Sequence, residues 1–266
     1  MLVAHYLRLH GDPRDAKNLF YYFDDWSEYC IFSIHNLIRV MWTKKPFKPA
    51  NWSPSQGCEG LRLAVQEARK KGLLHTALQV ECSVAGTVYV EDIRRHWKEG
   101  AERVLLLVNL QAGKEDTIPA TLADTVLQYL KEPECVGAVG GYGKQAYYII
   151  GLSGSEILYL DPHLLVQRAL SADHTTNVVP TVSNVRSFGV TSLSSSLFVA
   201  FAIDSPAHWD ALHERLQRYE HKLFQVEPGS APLTREQKAK RRQEGSSPLR
   251  DPSHSDRIES FSDDSS

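Results

Sequence analysis

The stretch from Gly137 to His163 reads GAVGGYGKQAYYIIGLSGSEILYLDPH, and it decides the fold. Residues 147–152 are apolar and favour a strand, residues 153–155 have the composition of a turn, and residues 156–160 again favour a strand. This pattern predicts a β-hairpin. Its second strand runs directly into Asp161-Pro162-His163, so an acid and an imidazole follow the end of a strand.

Asp161 and His163 are spaced so that their side chains can form a hydrogen bond. In extended chain, positions i and i+2 point to the same face, and their backbones lie about 6.6 Å apart. Pro162 fixes its own φ and keeps Asp161 out of the helical region. The spacing suits a histidine base that a carboxylate holds in one tautomer. It also suits a turn in which Asp161 caps a helix and His163 is solvated. The spacing alone favours the turn over the catalytic pair.

The longer pattern favours catalysis. Val139-Gly140-Gly141, the run AYYIIG at 146–151 and the run ILYLDPH at 157–163 closely resemble one segment of the autophagins, the papain-like cysteine proteases of autophagy. In that family the Asp and His of this Asp-Pro-His follow a Cys as the second and third members of a catalytic triad. The resemblance implies that Asp161 orients the imidazole and that His163 is the general base.

The composition is that of an ordinary globular protein, with 42% hydrophobic residues and a net charge of -2. This charge gives no global electrostatic case for nucleic acid or membrane. No apolar run is long enough to span a bilayer, and no secretory signal pattern opens the chain. Cys30, Cys58, Cys82 and Cys135 form no Cys-x-x-Cys pair, which argues against a zinc ribbon and a disulfide scaffold. We expect a reduced cytoplasmic protein, and the resemblance to autophagins implies no metal and no organic cofactor.

The order of elements also resembles the autophagins and implies an α+β, papain-like fold with helices packed on a mostly antiparallel sheet. We expect helices at 1–10, 30–40, 61–71, 91–97, 122–130 and 207–219, and further strands at 76–82, 104–110 and 197–203. Residues 1–226 form the protease-type domain. From residue 227 Pro, Ser and charged residues dominate, which predicts a disordered tail over 227–266.

The nucleophile of the implied triad is missing from the sequence. In autophagins it ends a Trp-Gly-Cys motif at the N-terminus of the central helix. Residues 1–5 resemble the body of that helix roughly two turns later, and no Trp-Gly-Cys occurs here. We therefore expect the domain to be N-terminally incomplete and inactive alone. Cys58 is the less favoured alternative, since it lies near a predicted helix N-terminus, where the helix dipole stabilises a thiolate.

Further positions resemble substrate-binding elements of the family. Trp52 fits a loop tryptophan that lies over the C-terminal glycine of the substrate, although Ser53 departs from the family's aromatic residue, and plain loop packing is the alternative. Gly140 and Gly141 fit a loop beside the cleft that moves on substrate binding; a simple strand connection is an equal alternative. His35, in a family-typical Phe-Ser-Ile-His-Asn run, is expected to be a core or capping histidine.

The resemblance implies a cysteine endopeptidase that cleaves a ubiquitin-like autophagy modifier after its C-terminal glycine and removes it from phosphatidylethanolamine. The partner would be that modifier, as precursor and as lipid conjugate. Contact with a membrane surface would be transient and made through the conjugate, with no contact to nucleic acid. Two alternatives stay open: an inactive module that binds the modifier, and a protease of another ubiquitin-fold modifier.

Overall fold

The computed structural model describes residues 2–23, 30–42, 54–100, 103–143, 145–162 and 184–232. In these ranges the chain forms seven α-helices, one short 3-10 helix and nine strands. The chain divides into two compact units, Met1–Ser230 and Ala231–Ser266, and all elements named below belong to the first. Within the same ranges, none of the helices combines the length and apolar character that crossing a lipid bilayer requires.

The helices are α1 (Leu2–His10), α2 (Pro13–Phe23), α3 (Ile34–Trp42), α4 (Pro54–Lys70), α5 (Val90–Lys98), α6 (Ala120–Lys131) and α7 (Pro206–Gln217). The strands are β1 (Leu78–Cys82), β2 (Thr87–Tyr89), β3 (Arg103–Gln111), β4 (Cys135–Tyr142), β5 (Gln145–Ser153), β6 (Glu156–Leu160), β7 (Arg186–Gly189), β8 (Ser196–Ile203) and β9 (Gln225–Glu227). The 3-10 helix is Val190–Ser192.

The main sheet has seven strands in the order β1-β3-β8-β4-β5-β6-β7. β1 and β3 are parallel, whereas every other neighbouring pair is antiparallel. β2 and β9 form a separate parallel pair. The sheet is therefore mostly antiparallel, as the sequence predicts.

Helices cover both faces of this sheet, and β3 shows how. Leu105 and Leu107 point into a core shared with α1 to α4, while Leu106 and Val108 point into a second core shared with α5 to α7. A strand that is covered on both faces needs apolar residues at consecutive positions. This explains the near-continuous apolar run at 104–110.

Several helix ends follow their local sequence signals. The Ser205 side chain accepts a hydrogen bond from the His208 amide at 3.1 Å, and Pro206 takes the first helical position of α7. Gly72, with φ of 68°, follows the end of α4. One predicted boundary was wrong, because α4 begins at Pro54 and not at residue 61. No helix was predicted over the residues of α2.

The hairpin predicted between residues 147 and 160 is confirmed as β5 and β6. Gly154, with φ of 63°, makes its turn. The range predicted for the tail, 227–266, includes Glu227, which is the last residue of β9. From residue 233 onwards it lies outside the described residues, so the disordered tail stays a prediction.

Candidate active site

Asp161 lies at one end of the main sheet. β6 ends at Leu160, which pairs with Tyr148 of β5. Asp161 extends β6 by one residue and therefore stands beside Tyr147, the preceding residue of β5. Tyr147 in turn pairs with Gly140 of β4. The sequence-predicted residues Asp161 and Gly140 thus share one end of the sheet, with Tyr147 between them.

Tyr147 forms an aromatic wall next to Asp161. Burial raises the pKa of the Tyr147 phenol, and the negative charge of Asp161 raises that pKa further. The Tyr147 hydroxyl donates to Oε1 of Gln145 at 2.8 Å, and its ring meets the Tyr159 ring edge-on at 4.7 Å. Asp161 itself is only partly buried. A partly buried carboxylate beside a buried aromatic ring can orient a neighbouring imidazole.

Gly140 and Gly141 pack closely against the segment that leads into β8. A Cβ on Gly140 would lie 2.8 Å from Cδ1 of Leu193, and a Cβ on Gly141 would lie 3.4 Å from the Cβ of Ser194. The Ser194 amide donates to the Gly141 carbonyl at 2.7 Å. Packing against Leu193 explains the absence of a side chain at Gly140, whereas the contact at Gly141 is an ordinary one. Both glycines lie within β4 and not in the loop that the sequence predicted. Substrate contact by these glycines stays a prediction.

His163 and Trp52 lie outside the described residues. Pro162 is the last described residue of the segment that carries Asp161. Of the predicted pair, only Asp161 lies within the described residues. The hydrogen bond between Asp161 and His163 therefore stays a prediction. The substrate contact assigned to Trp52 stays a prediction for the same reason.

The N-terminal end of α1 points toward the end of the sheet that holds Asp161. Arg103, at the start of β3, donates through Nη1 to the carbonyl oxygen of His10, the last residue of α1. The start of β3 is the opposite end of the sheet, since the far end of β3 reaches Gly140 through the pairing of Leu110 and Leu197 in β8. A helix N-terminus carries unpaired N–H groups and a partial positive charge, which favour a thiolate.

A hydrogen bond between His5 and Tyr148 links α1 to the sheet. Nδ1 of His5 lies 2.8 Å from the Tyr148 hydroxyl, which donates to the Val136 carbonyl at 3.2 Å. Burial lowers the pKa of His5, and a hydrogen bond with the Val136 backbone only partly opposes this. The imidazole is therefore held toward its neutral form. His5 was not predicted as a site residue, since no motif around it indicates a contact with a residue 143 positions away.

All four cysteines fall within the described ranges. Cys58 lies beyond the first turn of α4, is 2% exposed, and packs in the core between α4 and the sheet. Contact with the Cys58 thiol, together with burial, raises the pKa of Cys82, and burial raises the pKa of Cys135 to about 11. Cys30 is also buried. Burial and raised pKa values oppose thiolate formation, so we assign Cys58 to the core.

His35 does not lie in the core. It is exposed near the start of α3 and lines a cleft between α3 and α4. Of the two expectations for His35, the core position was wrong, and the capping role stays a prediction. Among the described residues, no group of three or more His, Cys, Asp or Glu side chains could hold a metal ion.

Comparison with known proteins identifies the family. The model of the Peptidase C54 catalytic domain matches residues 6–215, which include the second half of α1, all of α2 to α6, the whole main sheet and most of α7. The chain belongs to the Peptidase C54 family. The predicted autophagin resemblance and the papain-like α+β fold are thereby confirmed.

Individual relatives agree with this assignment. A mouse protein named cysteine protease ATG4C is 32% identical over 143 residues, which are 52% of this chain and 31% of the relative. Human cysteine protease ATG4C is 31% identical over 173 residues, 58% of this chain and 36% of the relative. The probable cysteine protease ATG4 of Kluyveromyces lactis is 24% identical over 157 residues, 59% of this chain and 34% of the relative. The chain thus spans about a third of the length of these relatives.

Proposed function

We propose that this domain supplies the acid and the base of an autophagy cysteine protease. Its reaction is cleavage of a ubiquitin-like autophagy modifier after the C-terminal glycine, both in the precursor and in the conjugate with phosphatidylethanolamine. Membership of the Peptidase C54 family and the names of the mouse and human relatives support the protease class. The modifier, the removal from lipid and a cytoplasmic location rest on the resemblance to autophagins.

One observation carries the proposal. Asp161 extends β6 at the end of the sheet toward which the N-terminus of α1 points. Papain-like chemistry needs a thiolate at a helix N-terminus and, facing it, an imidazole that a carboxylate or amide orients. In the proposal, the Asp161 carboxylate accepts a hydrogen bond from one ring N–H of His163 and so fixes the tautomer of that ring. His163 takes the proton of the attacking thiol and later gives a proton to the leaving amine.

The attacking thiol belongs, in the proposal, at the N-terminal end of α1. The free N–H groups of the first helical turn lower the pKa of a thiol at that position. Attack on the carbonyl carbon of the glycine forms an acyl-thioester and releases the amine, and water then releases the modifier. Cys30, Cys58, Cys82 and Cys135 do not fit this role, because each is buried or has a raised pKa.

The test uses the protein expressed in its own cells and purified through a C-terminal affinity tag. Its substrate is the modifier extended beyond the glycine by a fluorescent reporter. We expect His163→Ala and Asp161→Asn each to lower the cleavage rate by at least about a hundredfold, since the base and its orientation are lost. Asp124→Asn is the matched control, because Asp124 is an exposed acid on α6. Unchanged cleavage by His163→Ala would remove the assignment of His163.

The thiol is located separately. The same protein is treated with the modifier carrying a propargylamide in place of its C-terminal carboxylate, which forms a covalent bond with an active thiolate. Peptide mapping then identifies the labelled cysteine. We expect the label on a cysteine that precedes α1 in the protein made by its own cells, since α1 itself contains no cysteine. A label on Cys58 or on any other of the four cysteines would contradict the proposed arrangement.

A second candidate is a binding module without catalysis. The observation that favours it is that no Trp-Gly-Cys occurs in the sequence, while the four cysteines present are buried or have raised pKa values. This module would bind the modifier with unchanged affinity in His163→Ala and release no reporter. Cleavage of a different ubiquitin-fold modifier in place of the autophagy modifier would instead support the third interpretation.

A further inference from the structure

A cleft of about 310 Å³ lies between α3 and α4. Its apolar floor is formed by Ile31, Ala64, Ala68 and Leu73. Its rim is polar, and three charged side chains contribute to it: Arg39, Glu67 and Lys71. An apolar floor with a few placed polar groups is typical of a binding site, and the volume is at the lower end of the usual range.

The wall of the cleft is already fixed by hydrogen bonds. Ser33 caps α3, since its hydroxyl accepts from the Asn36 amide at 3.1 Å. The Asn36 side chain donates to the Ile31 carbonyl at 2.6 Å and accepts from Nη2 of Arg39 at 2.7 Å. A preformed wall reduces the entropy that a ligand loses on binding.

The rim carries a net positive charge. Arg39 and Lys71 both contact Oε1 of Glu67, at 2.7 and 2.5 Å. Burial raises the pKa of Glu67, but the hydrogen bonds from Lys71 and Arg39 outweigh burial and hold that pKa below its usual value. Glu67 is therefore ionised at neutral pH, and two cations share one carboxylate. Both cations are more than half exposed and remain within reach of an acidic ligand.

An apolar stripe on α3 runs alongside the cleft. Ile34 is 62% exposed and Trp42 is 52% exposed, with Ile38 between them. Residues four apart lie on one face of a helix, and the neighbouring strip carries His35 and Arg39, which line the cleft. From Ile34 to Trp42 the stripe is about 12 Å long. This length exceeds what a small ligand in the cleft would cover and suits a peptide of several residues.

The cleft lies far from the candidate active site. Its residues on α4 belong to the C-terminal half of that helix, which leads through Leu73 into the start of β1. The start of β1 pairs with Arg103, at the end of the sheet opposite Asp161. A ligand in the cleft would therefore leave the neighbourhood of Asp161 open.

We propose that the cleft between α3 and α4 is a docking site for a peptide segment of a partner protein. The segment inserts a large apolar side chain over the floor, packs further apolar residues on the stripe of α3, and places an acidic residue at Arg39 and Lys71. The geometry and charge of the cleft carry this inference, which does not depend on the proposed protease activity.

Selection from a random dodecapeptide library displayed on phage, with the purified full chain as bait, tests the proposal. The enriched peptides are synthesised with a fluorescent label, and their affinities are measured by anisotropy. We expect a shared pattern of large apolar residues beside an acid. Ile34→Ser and Lys71→Glu should each weaken binding about tenfold or more, because apolar contact or charge attraction is lost. Binding should also weaken as salt rises.

Leu9→Ser and Arg218→Glu are the matched controls. Leu9 is an equally exposed apolar residue on α1, and Arg218 is an exposed cation paired with Glu214 one helical turn away. Both should leave the affinity unchanged within about twofold. Absence of enriched peptides, enrichment without acidic residues, or equal binding to Lys71→Glu and the native chain would each overturn the proposal.

A photocrosslink keeps the test independent of variant folding. A benzoylphenylalanine at the apolar position of the best peptide is irradiated on the native protein, and the attached residue is mapped by mass spectrometry. Attachment of the crosslinker to α3, to α4 or to the flanking cleft residues Ile31 and Leu73 supports the site. Attachment elsewhere overturns it.

Discussion

Asp15 shows how much one buried carboxylate can hold together. It is fully buried and accepts four hydrogen bonds: from the Tyr22 hydroxyl at 2.8 Å, from the His75 amide at 3.1 Å, and from the amide and hydroxyl of Thr76 at 2.6 and 2.5 Å. These bonds tie α2 to the segment between α4 and β1. Burial of this polar group is tolerated because each of these donors points at it.

We predict that Asp15→Ala lowers the free energy of unfolding by about 3 kcal/mol, because the buried donors of Tyr22 and Thr76 lose their partner. Urea unfolding followed by tryptophan fluorescence measures this change. Asp124→Ala, at an exposed position on α6, should change it by less than about 0.5 kcal/mol. A loss at Asp15 no larger than at Asp124 would contradict the role given to this carboxylate.

At the candidate site, the sequence predicted Asp161 but not its neighbour. Simple pairing outward from Ser153 and Glu156 would set Tyr148 beside Asp161. The register shifts between Ile149 and Gly151, so Tyr148 pairs with Leu160 and Tyr147 stands beside Asp161. A β-bulge of this kind depends on packing against the rest of the sheet, which is why the local pattern could not reveal it.

Among the elements, the contact of α1 with β4 and β5 depends on Gly137. Its φ is 126°, and a Cβ there would lie 2.6 Å from the Ile149 carbonyl oxygen and 3.1 Å from the Tyr148 ring. The missing side chain lets Tyr148 reach both His5 and the Val136 carbonyl. The orientation of α1 toward Asp161 therefore rests partly on one glycine.

We predict that Gly137→Ala costs about 3 kcal/mol of unfolding free energy, because the new Cβ meets backbone that cannot move aside and φ is unfavourable for an L-residue. Gly151→Ala on β5 is the control, since a Cβ there meets nothing within 4 Å. Urea unfolding of the two variants compares them directly. Equal effects of both substitutions would show that the close approach at Gly137 is unimportant.

α7 is held by ion pairs to the connection between α6 and β4. Arg215 donates to Oε2 of Glu132 at 2.9 Å and to Oε1 of Glu134, and both carboxylates are buried. Nε2 of His208 also lies 2.8 Å from Oε1 of Glu134. Burial raises the pKa of Glu134, but the hydrogen bond from Arg215 and the charges of Arg215 and His208 outweigh it and hold the pKa below its usual value.

We predict that Arg215→Ala lowers the unfolding free energy at pH 7 by about 2 kcal/mol, less than for a fully buried pair because the Arg215 side chain is 36% exposed. The pKa of Glu134 is lower in the folded chain than in the unfolded chain, where it is near 4.5. Ionised Glu134 therefore stabilises the folded state at pH values above 4.5, and this stabilisation is lost as the pH falls from 4.5 through the folded pKa. The difference between native chain and variant should therefore shrink from pH 7 to pH 3.5.

Arg218→Ala is the control for this prediction. Arg218 directly follows α7 and forms an exposed pair with Glu214 of that helix, so its loss should cost less than about 0.5 kcal/mol at either pH. Urea unfolding of the native chain and of the two variants at pH 7 and pH 3.5 gives the change in unfolding free energy for each variant at each pH. A constant effect of Arg215→Ala across this range would mean that the titration of Glu134 is not involved.

Most single elements could be predicted from the sequence, but α2 could not. The Gly11-Asp12-Pro13 signal that ends α1 also starts α2, because Pro13 takes the first position of the next helix. The aromatic run that follows masked the helical spacing. The buried side of α2 is completed by Asp15 and Tyr22, whose partners lie 60 and 51 residues later in the chain. Such long-range contacts leave no local pattern.

For the whole molecule, the strand order is the least predictable feature. β8 lies between β3 and β4 although it follows both by many residues. The apolar run at 197–203 predicts a buried strand, yet several buried positions in the sheet would satisfy that pattern equally. The family resemblance supplied the fold where local pattern could not choose among topologies.

The strand order also predicts an uneven distribution of stability. β3 pairs on both sides and is covered by both cores, so its amides should exchange only through global unfolding. β7 is the last strand of the sheet, and its residues are mostly exposed, so it should open locally. We predict that amides in 103–111 exchange at least about a hundredfold more slowly than those in 186–189.

Hydrogen exchange measured by mass spectrometry on the native protein tests this difference. β1 is the internal comparison, because it is also an edge strand, but Leu78 and Val80 are buried in the core beneath α4. Its amides should exchange at a rate between those of β3 and β7, since burial slows local opening even without a second strand partner. If β1 exchanged as fast as β7, edge position alone would set the rate and coverage by the helices would contribute nothing. If β3 exchanged as fast as either edge, the two cores would not act as one cooperative unit.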